Sequence, residues 1–476
     1  MTTTLYWHDY ETSGVDPALD RPLQFAGIRT DEDLNVIGEP LTEYCAPPLD
    51  RLPHPEACLI TGLAPQFLRE KGLPEPEFIG RVLGELSRPG TCAVGYNSIR
   101  FDDEVTRFSL YRNFYDPYER EWKQGNSRWD IIDMLRLTRA LRPEGIEWPC
   151  HEDGSPSFRL EHVTAANGLE HDAAHDALSD VRATIAVARL VRTTQPKLYN
   201  YVYRNRTKQQ VSALIDLANR KPFLHVSSRL PRENGYLAIM MPICPHPTNT
   251  NAIVAVNLLS DPRPLLELDS EAIRERLFTP RADLPEDSER IGLKGIHLNR
   301  CPVVATPKLL DPATARQLGI DRERCERHWQ LLRKSEIGSK VQAVFSGADM
   351  ADVVDAEKAL YQGFLPNSDR SLLAQVRALR PDKLTAADIR FSDPRYRELL
   401  FRYRARHAYE TLTPDEKQRW LQLRTQWLHG QAPGFLNIEA FNRELDRLAE
   451  TADIGERDRA LLQSLRDWGV YLLQQP

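Results

Sequence analysis

The stretch Leu5-Tyr6-Trp7-His8-Asp9-Tyr10-Glu11-Thr12 decides the fold. Its β-forming residues, closed by Ser13-Gly14 and Asp16-Pro17, predict a strand over Leu5–Thr12. On a strand, residues i and i+2 share a face, so Asp9 and Glu11 project together. Two carboxylates so placed can hold a hard divalent cation through oxygen and leave positions for water and phosphate. The triplet alone is a weak signal, because 68 acidic residues make D-x-E a common accident.

Working outward, Leu23–Thr30 reads as a second strand, Asp31–Asn35 as a hairpin connection and Leu41–Cys45 as a third strand. A helix is expected around Phe78–Leu86, followed by a short apolar strand over Thr91–Gly95. The residues up to about 190 thus read as α/β. After Gly95, Asn97 suits a turn, Phe101 can anchor the core and Asp102 opens a helix, where an aspartate is ordinarily a cap. Asp176–Arg192 carries apolar residues at 177, 178, 181, 185, 188 and 191, an amphipathic helix. His175 and Asp180 are five residues apart, about 500° on a helix, so they do not share a face. His175 is therefore placed on the loop ahead and Asp180 in the first turns. A loop histidine is ordinarily solvated. Beside clustered carboxylates it is a general-base candidate, because imidazole titrates near neutrality.

Gln195-Pro196 ends that helix. From about 197 to 350, short apolar runs at Phe223–Val226, Tyr236–Met241, Ala252–Leu259 and Cys301–Ala305 predict a second domain of β-strands with some helix. From about 352, Leu, Arg, Glu and Trp recur at helical spacing, predicting an all-helical module. A length of 476 residues suits two to four domains. With 41% hydrophobic and 27% charged residues, a soluble globular protein is expected rather than a disordered or fibrous one. No apolar run approaches the ~18 residues of a membrane span. The start lacks the basic and apolar regions of a signal peptide, so none is expected. Seven scattered cysteines include no C-x-x-C pair, which argues against a disulfide framework or a structural zinc site and for a reduced, cytoplasmic protein. A net charge of −6 argues against a nonspecific nucleic-acid coat. It does not exclude a nuclease, whose metal-binding carboxylates lower the net charge.

The order D-x-E, N-x-x-x-F-D, H-x-x-x-x-D resembles the DEDDh group of 3′→5′ exonucleases, which have a ribonuclease H-like fold. The resemblance implies that Asp9, Glu11, Asp102 and Asp180 hold two Mg²⁺ ions, for which Mn²⁺ can substitute, and that His175 is the general base. Asp9 would bridge both ions, Glu11 and Asp180 would complete the tighter site, and Asp102 would serve the other. Two such cations about 4 Å apart stabilise the attacking and leaving oxygens of a phosphodiester.

A narrower likeness runs through His8–Thr12, Ala18–Pro22, Leu59–Gly62, Arg100–Arg107, Tyr111–Tyr118, Asn126–Asp130, Leu141–Ile146 and Pro156–His162. It continues in Pro264–Ser270, His297–Pro302 and Leu400–Arg406. These segments resemble the bacterial exodeoxyribonuclease I family over nearly the whole chain. The likeness is weakest around Arg229–Met241, Leu284–Gly292 and the last ~65 residues. It implies an exonuclease domain over 5–192, an SH3-like β-containing domain over 196–350 and a helical C-terminal domain over 352–474. Together they would form a ring-like passage for single-stranded DNA, digested processively from the 3′ end to 5′-mononucleotides in DNA repair and recombination.

In that family reading, Glu11 and Arg159 bind substrate, Arg107 and Arg136 also meet phosphates, and Tyr118 and Trp122 stack on bases, which suits a sequence-tolerant enzyme. Residue type alone reads these aromatics as core at i, i+4 and the arginines as solvated or ion-paired. Lys208, Asn251, Lys294, Asn299 and Tyr361 match further strand contacts. Arg142, Lys221 and Arg333 match a basic site for the acidic C-terminal tail of single-stranded DNA-binding protein, although each alone is an ordinary surface charge. A monomer without membrane partners in the bacterial cytoplasm is expected. Two alternatives stand beside this reading: a sister DEDDh enzyme acting on RNA or in proofreading, and a noncatalytic single-strand-binding adaptor. The first is usually one short domain, against which about 280 further residues argue. The presence of all five active-site residues argues against the second.

Overall fold

The computed structural model describes residues 3–475 except 172–174, 281–282, 286–289, 347–354, 386–388, 431 and 452–454. It divides into two compact units, 1–127 with 172–182 and 351–476, and 128–171 with 183–350.

In the first unit the opening stretch forms β1 (Thr4–Thr12). Tyr6 and Tyr10 pack on one side with Phe25, Phe78, Val82 and Leu110, and this apolar anchoring fixes the register. Alternation sends Trp7, Asp9 and Glu11 to the other face. Trp7 is fully buried there and donates Nε1–H to Thr30 Oγ1 at 2.9 Å. β2 (Pro22–Thr30) runs antiparallel to β1, with Asp9 opposite Ala26 and Glu11 opposite Gln24. At the predicted hairpin connection, the Asp31 carboxylate accepts from the N–H groups of Asp33 (2.9 Å) and Asn35 (2.8 Å). The chain then returns as β3 (Leu41–Tyr44), antiparallel to β2. Cys45 falls just outside it and makes a lone parallel bridge to Leu73.

The helix expected near Phe78 starts earlier, over Glu75–Leu86, because a proline is tolerated in a first turn. β4 (Thr91–Gly95) lies parallel to β1 on the side away from β2. β1, β2 and β4 are buried along nearly their whole length, as in a sheet covered on both faces. β5 (Ser127–Asp130) carries the chain from the first unit into the second.

The first unit also contains the helical C-terminal part. Helices Asn367–Ala378, Pro394–His407, Pro414–His429, Ile438–Ala449 and Glu456–Leu473 agree with the all-helical prediction, and no strand occurs among the described residues beyond 355. Thr413 and Glu416 form a reciprocal capping box with Pro414 in the first turn. Phe108, Tyr111 and Phe114 share one core with Leu360, Val376, Phe391 and Tyr403.

The predicted amphipathic helix spans Ala177–Thr194. Pro196 ends it but opens a further helix, Pro196–Arg204, rather than the strand-rich region directly. A proline at the first helical position loses no hydrogen bond, so the same residue stops one helix and starts the next. Lys208–Leu214 follows as another helix. The second unit then builds a five-stranded antiparallel sheet from β6 (Phe223–Val226), β7 (Leu237–Pro245), β8 (Ala252–Asn257), β9 (Leu293–His297) and β10 (Val303–Ala305). The order is β10-β6-β7-β8-β9. β7 continues past the predicted end at Met241 because a bulge between Pro242 and Cys244 accommodates its prolines. Val211 of the Lys208–Leu214 helix packs with Met240, Ala255 and Ile296 of this sheet.

Candidate active site

The site forms where β1 outruns its parallel neighbour. β4 pairs with β1 only from Thr4 to Trp7, so further along β1 the backbone needs other partners. The N–H of Tyr10 donates to Asp102 Oδ1 at 3.1 Å. The chain reaches Asp102 through a tight turn. Asn97 takes a left-handed conformation (φ 60°), and a Cβ on Gly95 would lie 2.5 Å from Ser98 Cβ, so glycine is required there. Helix Asp102–Arg112 then begins, with Asp102 buried in its first turn.

Asp180 comes from the first turn of helix Ala177–Thr194. One carboxylate oxygen each from Asp9, Glu11 and Asp180 lie within 4.8 Å of one another. Gln24, opposite Glu11 on β2, donates Nε2–H to Asp176 Oδ2 at 3.1 Å and so ties the start of that helix to the sheet. Asp176 Oδ1 accepts from the Ser179 N–H at 3.1 Å. Burial pushes the Asp9 carboxyl well above the usual carboxylate range, and Asp102, Glu11, Asp180 and Asp176 push it further. Burial, then Asp180, Asp102 and Asp176, push the Glu11 carboxyl up to about 9. The leading charges acting on both are carboxylates, so the set is oxygen-rich and short of positive charge. Such a donor set fits a hard divalent cation.

His175 sits where the sequence puts it, on an exposed turn (φ 67°) ahead of the Asp180 helix. Neither His175 nor Asp102 belongs to the 4.8 Å set, although Asp102 shares its electrostatic field. Gln24 and Asp176 escaped the sequence reading. Gln24 becomes legible only once the β1–β2 register places it across from Glu11.

The expected strand contacts occupy varied settings. In the first unit Arg107 is buried, with Nε and Nη2 donating to Glu121 at 2.7 and 2.8 Å and Nη1 to Glu104 at 2.9 Å. Its guanidinium lies 5.5 Å from the Tyr118 ring centroid, and Nη1 also reaches the Tyr361 hydroxyl at 3.1 Å. Tyr118 and Trp122 do not share a helix face, because two short 3-10 turns replace the helix. Tyr118 is half-buried while Trp122 is 65% exposed, so Trp122 is no core residue.

In the second unit Arg136 pairs with Asp133 at 2.5 Å and faces the rings of Phe158 and Tyr236. Arg159 is exposed, just before helix Leu160–Ala166. Lys208 donates to Asn251 Oδ1 at 2.7 Å, which brings two expected contacts together. Lys294 pairs with Ala255 in the β8–β9 register, and the Asn299 carbonyl accepts from Arg128 at 2.9 Å. Trp329 links Arg333 to the residue before Lys221. Its Nε1–H donates to the carbonyl of Arg220 at 2.8 Å, and the Arg333 guanidinium lies 4.8 Å from its ring. Arg142 donates to the carbonyl of Leu141.

Comparison with known proteins agrees along the whole chain. A family model described as Exonuclease matches residues 6–188, Exonuclease I SH3-like domain matches 206–347, and Exonuclease I C-terminal domain matches 354–472. Exodeoxyribonuclease I of Escherichia coli K12 is 47% identical, with 97% of each chain covered. A solved exonuclease I from Methylocaldum szegediense superposes with TM-score 0.95 at 50% identity, covering 99% of this chain and all of that one. E. coli exonuclease I in complex with a dA16 oligonucleotide gives TM-score 0.93 at 46% identity over 99% and 100% of the chains. A solved SSB/exonuclease I structure with the inhibitor CFAM gives 0.91 at 44% over the same shares. With three family models in register and near-complete coverage at close to half identity, the chain belongs to the exodeoxyribonuclease I family and is an exonuclease.

Proposed function

We propose that the protein digests single-stranded DNA processively from the 3′ end, releasing 5′-mononucleotides, with two Mg²⁺ ions held by Asp9, Glu11, Asp102 and Asp180. The carrying observation is the convergence of the Asp9, Glu11 and Asp180 oxygens within 4.8 Å, with two of these carboxyls pushed up by burial and by each other. When bound, the ions supply positive charge for the attacking and leaving oxygens. Asp9, beside Glu11 on β1 and in the field of Asp102, would serve both ions. Glu11 and Asp180 would hold the tighter one and Asp102 the other. His175 takes the proton of the attacking water; its turn leaves the imidazole free of the carboxylate set. Glu11 and Arg159 orient the terminal nucleotide.

Arg107, Tyr118, Trp122, Arg136, Lys208, Asn251, Lys294, Asn299 and Tyr361 contact the strand. The exposed Trp122 offers a ring face for stacking, whereas Arg107 must give up a carboxylate to reach a phosphate. The dA16 complex of the E. coli relative supports the substrate class. The SSB/exonuclease I structure of a relative supports the partner class, for which Arg142, Lys221 and Arg333 are the candidate site. Domains over 5–192, 196–350 and 352–474 would divide the catalytic, strand-guiding and enclosing tasks, in a bacterial cytoplasmic monomer that works in repair and recombination. No described helix is long and apolar enough to cross a membrane. Digestion of 3′-labelled and 5′-labelled single-stranded DNA, duplex DNA and RNA, with Mg²⁺ or with EDTA, tests the reading. Early release of labelled mononucleotide from 3′-labelled but not 5′-labelled single-stranded DNA, with Mg²⁺ and not with EDTA, is expected. Equal attack on RNA would overturn the substrate assignment.

A further inference from the structure

Ala356–Tyr361 forms a short 3-10 turn in the first unit and is tied to two of the three elements that carry the site's carboxylates, to β1 through Arg21 and directly to helix Asp102–Arg112. Toward β1, the Glu357 side chain is fully buried and accepts from Arg21 Nη2 at 2.5 Å. Arg21 closes the end of β1: its N–H donates to Ser13 Oγ, and its carbonyl accepts from the Ser13 N–H, each at 2.9 Å. Ser13 is two residues beyond Glu11. Toward helix Asp102–Arg112, the Ala356 carbonyl accepts from the Tyr111 hydroxyl at 2.9 Å, and the Tyr361 hydroxyl meets Arg107 and Glu104. One turn, remote in sequence, therefore grips the strand of Asp9 and Glu11 and the helix of Asp102.

A buried ion pair often stabilises no more than a well-packed apolar pair, so cohesion alone does not call for charges here. Arg51 (2.7 Å) and Arg406 (2.6 Å) also converge on Glu357. Burial would raise the Glu357 carboxyl, but Arg21, Arg406 and Arg51 together hold it well below its usual range. The gripped elements, in contrast, carry carboxyls that push one another up, and whose like charges repel as they ionise to take up a cation.

We propose that Ala356–Tyr361 is a clamp that holds these two elements against their mutual repulsion. Glu357 is its positioning residue, setting the spacing of Glu11 and Asp102 and thereby the divalent-cation affinity of the site. The inference rests on the metal reading above. Metal sites need their ligands held within about 0.5 Å, and groups that only orient ligands are worth about 10–100-fold in affinity.

The test is Mn²⁺ binding to the metal-free full chain, followed by electron paramagnetic resonance, in Glu357→Gln, Tyr111→Phe and Glu416→Gln. Glu416 pairs with Arg404 at 2.7 Å and touches neither gripped element, so its variant reports a general loss of ion pairing. Thermal melts establish that each variant is folded at the assay temperature. A Kd weakened about five- to tenfold in Glu357→Gln and about threefold in Tyr111→Phe, with Glu416→Gln unchanged, is expected from a positioning role somewhat removed from the ligands. If Glu357→Gln does not fold, Tyr111→Phe decides, since it removes one hydroxyl and no charge. Wild-type affinity in the folded clamp variants overturns the clamp. A wild-type chain that binds no Mn²⁺, or that binds it undiminished after Asp9→Ala, overturns the metal reading itself.

Discussion

At the scale of single residues, the site is a set of carboxylates that oppose one another until a cation joins them. Asp9→Ala should cut nuclease activity in Mg²⁺ below a tenth of wild type, a barrier change above about 1.4 kcal/mol. The fold and DNA binding should persist; activity above that line contradicts the metal assignment. The same chemistry gives a pH signature. The folded Glu11 carboxyl is raised to about 9, so without metal the native state holds a proton that the unfolded chain releases. Stability is then fully present below the ordinary carboxylate range and is lost as pH rises toward about 9. A bound cation cancels that loss. Mg²⁺ should therefore raise the melting temperature more at about pH 8.5 than at about pH 6. Equal increments in differential scanning fluorimetry would sink the argument. His175→Ala should lower the rate by about 10²–10⁴ with metal affinity unchanged, and should abolish the acidic limb of the pH–rate profile. If the variant keeps the limb, or loses metal in calorimetry, His175 is not the base. Asp9, Glu11 and Asp180, whose oxygens the fold brings together, were legible because each stands in a spaced motif, as do Asp102 and His175 outside that set. Gln24 and Asp176 were not, because their roles depend on a strand register and a helix start that no spacing records.

At the scale of elements, short-range chemistry was the readable part. The Asp31 turn, the β1–β2–β3 ladder and the Asp102 helix follow from alternation and turn residues. The misreadings have local causes. Gln195-Pro196 ends its helix as read, yet Pro196 also opens another before the strands begin. Pro242 looked like the end of a strand, yet a bulge carries β7 past it. Tyr118 and Trp122 looked like a helical pair, but the chain between them follows 3-10 turns. The turn from β4 into the Asp102 helix gives a prediction at this scale. A methyl group at Gly95 would meet Ser98 Cβ at 2.5 Å, Ser98 Oγ at 2.7 Å and the His8 carbonyl at 3.2 Å. Gly95→Ala must shift the turn and with it Asp102, costing about 1–3 kcal/mol of stability. Activity should fall by more than that loss explains at temperatures well below the melt. A variant that melts early yet turns over normally when folded would show that the turn does not position Asp102.

At the scale of the whole molecule, the proposed function asks an acidic chain of net charge −6 to bind two anions, a DNA strand and an acidic tail. Net charge gives no steering toward either, so both need local sets of cations. Those sets are what the sequence hides best. Lys221 and Arg333 are 112 positions apart in a chain with 62 basic residues, and nothing in their spacing links them. The fold links them through Trp329, which bonds the residue before Lys221 and carries the Arg333 guanidinium on its ring. A charge at such a surface site acts through space and through hydrogen bonds to a carboxylate, and is screened by salt. Lys221→Glu reverses one of the three charges proposed to take the tail, without touching any residue of the metal site. It should abolish binding of an acidic peptide with the sequence of the single-stranded DNA-binding protein tail, read by fluorescence anisotropy at fixed ionic strength. Wild-type affinity should itself fall as salt rises from about 0.05 to 0.3 M, because the Debye length shrinks over that range. Digestion of naked single-stranded DNA by the variant should match wild type, while digestion of the protein-coated strand slows. Unchanged peptide affinity, or an equal loss on naked DNA, would show that Lys221 belongs to no separate tail site.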